Sequence, residues 1–255
     1  MSLRAKDPRS YVSEINVRLA NRTDEYIGAM KRLEQYAQFF SDICSHVRAE
    51  AHHLHYVHRL TVKELDIQIV GLNSAWNCSG DEEERRVWVG TQPQLSAVSR
   101  DRSLRLGLVH HPLEWMTKPD ASLLEQRMGS DLHFLLHGHE HEYRCVEFNG
   151  GHSVVGTGAV SATTPDEHGV VLTHIDFDSK IQTHHVLVYS MGRGEWFVSS
   201  QYPPKKASLP SSIVSLLESK EDLRSNPGDR RAPSRYGDLF QRLGRLAEDD
   251  RYCTP

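Results

Sequence analysis

The chain has 255 residues, enough for one sizeable domain with an appendage and too few for two full domains. Its 30 basic and 34 acidic residues leave a formal charge of −4, which gives no general electrostatic pull toward nucleic acid or an anionic membrane. Apolar residues make up 38% and mean hydropathy is −0.54. No apolar run approaches the roughly eighteen residues of a membrane span, and the N-terminus lacks the apolar core of a signal peptide. Cys44, Cys78, Cys145 and Cys253 form no Cys-x-x-Cys pair, so free thiols in a reducing, cytoplasmic compartment are expected.

From Asp24 to Val47, the residues Tyr26, Ile27, Met30, Leu33, Tyr36, Ala37, Phe40, Ile43 and Val47 recur at spacings of one, three and four. They predict a long amphipathic helix, with Asn21, Thr23 and Asp24 as caps. His52, His53, His55 and His58 crowd the next stretch, which lies between a helix and a strand and reads as a solvated turn. Leu65 to Leu72 is a strand closed by Asn73-Ser74, and Gly80 to Arg86 is an exposed charged loop. Thr91 to Val98 opens a short helix that tolerates Pro93 in its first turn. A strand from Leu104 to Val109, a helix around Ser122 to Met128 and a strand from Leu132 to Leu136 then follow the order of an α/β sheet. The later strand runs, Ser153 to Gly156, Gly169 to Ile175, Thr183 to Tyr189 and Trp196 to Ser199, are joined by short turns and read as antiparallel. The expected fold class is therefore α/β with a mixed β-sheet. Three parts are expected: a helical lead-in over 1–60, the main domain over 61–200, and a polar, flexible tail over 201–255.

Histidine supplies 16 residues, and two of its clusters sit at strand ends. Leu108-Val109-His110-His111-Pro112 and Leu135-Leu136-His137-Gly138-His139-Glu140-His141 are apolar strands that end in imidazoles, a rigid place for metal ligands. Gly138 is expected to let the backbone turn so that His139 and His141 face one cavity, with His110 beside them. One His-x-His alone is more often packing than a site; two histidine-ended strands together point to metal. Trp76, Trp88 and Trp115 are read first as core residues, and Asp166, Glu167 and His168 as a solvated loop.

These motifs resemble those of the calcineurin-like metallophosphoesterases, dinuclear metal hydrolases of phosphate mono- and diesters. The strand ending in His-His-Pro and the Gly-His-x-His of residues 138–141 carry the resemblance. The strand that ends in Leu72-Asn73-Ser74 and the run Val154 to Gly158 are similar as well, so that it covers about residues 20 to 200. It implies a layered α/β sandwich, a phosphate-ester substrate and divalent metal as Mn, Fe or Zn. It also implies that His110 and His139 ligate one ion and His141 the other. His111 is read as bracing the turn or orienting a ligand, His137 as structural, and Asn73 as a group that either hydrogen-bonds near the site or caps its strand.

The family's first half supplies Asp-x-His, Gly-Asp and Gly-Asn-His, and none of these stands upstream of His110. Asp131-Leu132-His133 has matching letters but opens the strand that leads into Gly138; Gly80-Asp81, Gly228-Asp229 and Gly237-Asp238 follow no apolar strand. The resemblance is thus to a C-terminal portion of the domain. Two dications about 3.5 to 4 Å apart repel by roughly 18 kcal/mol at an effective dielectric of about 20. Without the bridging carboxylate, at most one ion is expected, with weak or no hydrolysis. The competing expectation is a metal-binding or regulatory module, and either an oligomer or a separately encoded N-terminal half is expected to cover the exposed apolar edges.

Overall fold

The computed structural model describes residues 17, 24–43, 55–62, 65–76, 78, 84–96, 98–140, 143–148, 152–157, 169–190 and 195–216. His52, His53, His141 and the Asp166–His168 loop lie outside them. The chain divides into two compact units, Met1–His139 and Glu140–Pro255.

The first unit begins with α1 (Asp24–Met30), a 3-10 turn at Lys31–Leu33 and α2 (Glu34–Ile43). The single long helix expected here is interrupted at the turn. The Arg32 guanidinium donates to the carbonyls of Trp76 at 2.6 Å and Cys78 at 3.4 Å, which ties this segment to the loop after the second strand. Strands β1 (His55–Val62), β2 (Leu65–Leu72), β3 (Leu104–Val109) and β4 (Phe134–His137) follow. Between them come α3 (Thr91–Leu95) and α4 (Lys118–Arg127). Within this unit the order is β1-β2-β3-β4. β1 is antiparallel to β2, and β2, β3 and β4 run parallel, so the sheet is mixed as the sequence predicts.

β3 and β4 read as nearly continuous apolar runs because a parallel strand is covered on both faces. Leu104, Val109, Phe134 and Leu135 are all buried, together with Leu124 of α4 and Trp88. At the amino ends of the strands a polar network closes the sheet. Gln68 donates to Ser99 O and Asp101 Oδ1, and buried Asp131 pairs with Arg100 at 2.6 Å and Arg127 at 3.1 Å. His133 is fully buried there and accepts from the Arg105 amide at 2.9 Å, a structural role for the Asp131-Leu132-His133 triplet.

The solvated turn expected around His55 and His58 is instead β1, paired residue by residue with β2. Alternation with Tyr56, Val57, Leu60 and Val62 favours a strand, and pairing satisfies the backbone that a turn would leave to water.

The second unit holds a hairpin of β5 (Arg144–Phe148) and β6 (His152–Gly156). It also holds an antiparallel sheet of β7 (Gly169–Asp176), β8 (Ile181–Ser190), β9 (Glu195–Val198) and β10 (Lys205–Ser208). β7 lines one edge of β8, while β10 and β9 pair with successive halves of β8. Within the stretch from residue 201, Lys205–Ser208 forms β10, and residues 211–216 form a helical turn with Leu209 and Ile213 buried, the amphipathic turn that the spacing of Ile213, Val214 and Leu216 allows. Lys205 hides the strand in the sequence, because its ammonium is held by Cys145 O at 3.0 Å and Glu147 at 3.5 Å and is not simply solvated.

Candidate metal centre

Parallel strands put their carboxyl ends on one edge of a sheet, where α/β proteins build their sites. The register makes this concrete, since Leu72 pairs with Val109 and Val109 with His137. The next residues along, Asn73-Ser74, His110-His111 and Gly138-His139, therefore emerge side by side. The Gly138 amide donates to His110 O at 3.1 Å and locks the last two strand ends together.

His110, His111 and His139 converge there. Each offers one ring nitrogen, and these atoms lie within 4.8 Å of one another, forming the one metal-capable group among the described residues. His139 Nδ1 stands 3.1 Å from His110 Nε2. The ring centroids are 4.8, 5.0 and 4.6 Å apart for the pairs 110–111, 110–139 and 111–139, a nearly equilateral triangle.

Two details depart from the sequence reading. The left-handed residue at the end of β4 is His139, with φ 75°, and not Gly138, where an added Cβ would make only ordinary contact with His110. A non-glycine residue held there is strained. Trp115, half-buried in the turn after β3, sets its ring edge-on to His139 at 4.1 Å, so it borders the site, whereas Trp76 and Trp88 pack together in the core.

His111 is buried, and its Nδ1 lies 2.8 Å from Ser74 Oγ. Cys78 Sγ stands 3.9 Å from His111 Nε2 and donates to Ser74 O at 3.1 Å. Asn73 caps its strand: its Oδ1 accepts from the amides of Ala75 and Trp76. Gln94 of α3 grips the Asn73 backbone from both sides, accepting from its amide and donating to its carbonyl. α3 is anchored in turn by buried Asp120, whose carboxylate accepts from the amides of Val89, Gly90 and Thr91 at 2.6, 3.1 and 3.0 Å. Burial pushes that carboxyl above its usual range, and the three amides oppose the shift. His137 Nδ1 meets Gly138 O at 3.1 Å and the ring is buried in β4, a structural position.

The structure thus brings His110, His111 and His139 together, leaves Asn73 as a cap, and does not describe His141. Ser74 was not legible as a site residue, whereas Trp115, which could line a pocket or pack in the core by its place near a strand end, takes the first role. Ser74 looked like a turn residue after Asn73, and only the pairing of β2 with β3 sets it beside His111. Ligand nitrogens of a tetrahedral zinc at about 2.0 to 2.1 Å are separated by about 3.3 Å, close to the 3.1 Å between His110 Nε2 and His139 Nδ1; the three imidazoles together spread over as much as 4.8 Å, so the His111 ring reaches the same ion with a small shift. They supply no anion to hold a second.

Fold and cluster together define an α/β protein with a histidine site at the carboxyl edge of a mixed sheet. No protein-family model matches the chain, and no curated protein matches it. Among solved structures, the crystal structure of Vps29 from Chaetomium thermophilum matches with 17% identity and a TM-score of 0.29. The match covers 62% of this chain and 62% of that one, and a superposition at that score carries no argument about chemistry. Among the described residues, no helix is long and apolar enough to cross a membrane.

Proposed function

We propose that this chain is a divalent-metal protein of metallophosphoesterase type, which binds one ion and hydrolyses phosphate esters far more slowly than a two-metal centre. The observation that carries the reading is the approach of His110 Nε2 and His139 Nδ1 to 3.1 Å at adjoining strand ends. By the resemblance, His141 adds a ligand and the ion is Mn, Fe or Zn. Such an ion, when bound, polarises a phosphoryl oxygen and lowers the pKa of a bound water. The chain's own part is to hold the two imidazoles rigidly, through the Gly138–His110 hydrogen bond and the Trp115 ring. The exposed apolar residues Tyr36, Phe39 and Ile43 of α2 support a covering partner, either a second copy or a separately encoded N-terminal half.

Elemental analysis of the metal-loaded chain, with manganese-dependent hydrolysis of bis(p-nitrophenyl) phosphate, tests this. One ion per chain and slow turnover lost in His139→Ala are expected. Two tightly held ions, or metal content unchanged by His139→Ala, would overturn it.

A further inference from the structure

We infer that His111 is a ligand and not a brace, so that the ion sits in an all-imidazole set of His110, His111 and His139, with Ser74 as the positioning residue for His111. This rests on the metal-binding reading above and changes its ligand set. The triangle of ring centroids gives His111 the same standing as the other two, since its distances of 4.8 and 4.6 Å are no longer than the 5.0 Å between them.

Ser74 fixes which nitrogen takes part. Its Oγ is 2.8 Å from His111 Nδ1 and also accepts from the His111 amide at 3.4 Å, so the ring is held by one edge and Nε2 is the donor atom. A ligand imidazole whose other nitrogen is tied to an oxygen is the usual arrangement around zinc, because it sets tautomer and ring orientation. The ring is also 7% exposed, so packing limits its rotation. Cys78 Sγ contacts His111 Nε2 at 3.9 Å but falls outside the mutually close group.

Three neutral nitrogen donors have a chemical consequence. They leave the full dipositive charge on the ion and provide no hard oxygen, which favours zinc or cobalt(II) over manganese or magnesium. With three protein ligands, a zinc ion would keep room for a further ligand, a water or an anionic oxygen.

The test is zinc affinity of the full chain, measured by competition with a chromophoric chelator, with the cobalt(II) absorption spectrum as a second readout. Expected are zinc bound far more tightly than manganese, a ten- to hundred-fold loss in Ser74→Ala, and a larger loss in His111→Gln. Cobalt should give tetrahedral visible bands without a thiolate charge-transfer band. Circular dichroism checks that each variant folds. Should His111→Gln misfold, nitrogen-15 shifts of the wild-type histidines decide the matter, because zinc must move His111 Nε2.

Zinc affinity unchanged in His111→Gln but lost in His141→Ala would overturn the inference and leave the proposed function standing. A cobalt thiolate band abolished by Cys78→Ala would also overturn it. Failure of the wild-type chain to bind any divalent ion would remove both readings.

Discussion

Asp120 shows how a single residue far from the histidines sustains the site. Its carboxylate is 2% exposed and satisfies three consecutive amides at the start of α3, the helix whose Gln94 holds the Asn73 backbone. Asp120→Ala would leave those amides buried without acceptors, at a cost of roughly 3 kcal/mol or more. Asp120→Asn keeps one oxygen for the Val89 and Gly90 amides, which share Oδ2, and loses the bond from Thr91 alone, so a smaller loss of about 1 to 2 kcal/mol is expected. Urea denaturation of the two variants checks this, and equal losses would contradict it. None of this was legible beforehand: Asp120 lies just ahead of the helix read around Ser122 to Met128, and its amide partners lie about thirty positions earlier in the chain. The meeting of His110 and His139 at adjoining strand ends was legible, because each ends an apolar run read as a strand of one sheet.

Among the elements, β1 carries the clearest tertiary dependence. Tyr56 pairs with Gly71 across the antiparallel ladder, and a Cβ at position 71 would overlap the Tyr56 ring, which lies across the glycine and against Phe40 of α2 at 5.5 Å. Gly71→Ala should therefore cost about 1 to 3 kcal/mol through overpacking. The same change in a Tyr56→Ala background should cost far less. A double-mutant cycle on thermal unfolding measures the coupling, and additive losses would refute the packing argument. β2 and β3 begin and end where their apolar runs do, since buried strands need little else to mark them. β1, β5 and β10 were not visible because each is polar on one face and owes its strand state to a neighbour's edge.

At the scale of the whole molecule, pH dependence of stability enters through His184 in the second unit. The ring is fully buried on β8, its Nδ1 meets Thr173 Oγ1 at 2.9 Å, and its Nε2 has no hydrogen-bond partner among the described residues. Burial, followed by the nearby Lys205 ammonium, lowers its pKa from 6.5 to about 4. Below about pH 6.5 the unfolded chain gains a proton that the folded chain refuses until about pH 4, so stability falls as pH drops through that window. His184→Leu should flatten the change in urea midpoint between pH 7 and pH 5; an unchanged pH dependence would exclude His184 as its source.

The sequence by itself determined the mixed α/β class, the two buried parallel strands and the histidines at their ends, because apolar periodicity and strand-terminal imidazoles are local properties. Tertiary structure alone decided which imidazoles meet. The parallel register of β2, β3 and β4 sets Ser74, His111 and His139 side by side, and no one-dimensional spacing encodes that alignment. It also decided that polar stretches such as His55–Val62 and Lys205–Ser208 are strands, since their backbone hydrogen bonds are supplied by partners remote in the chain.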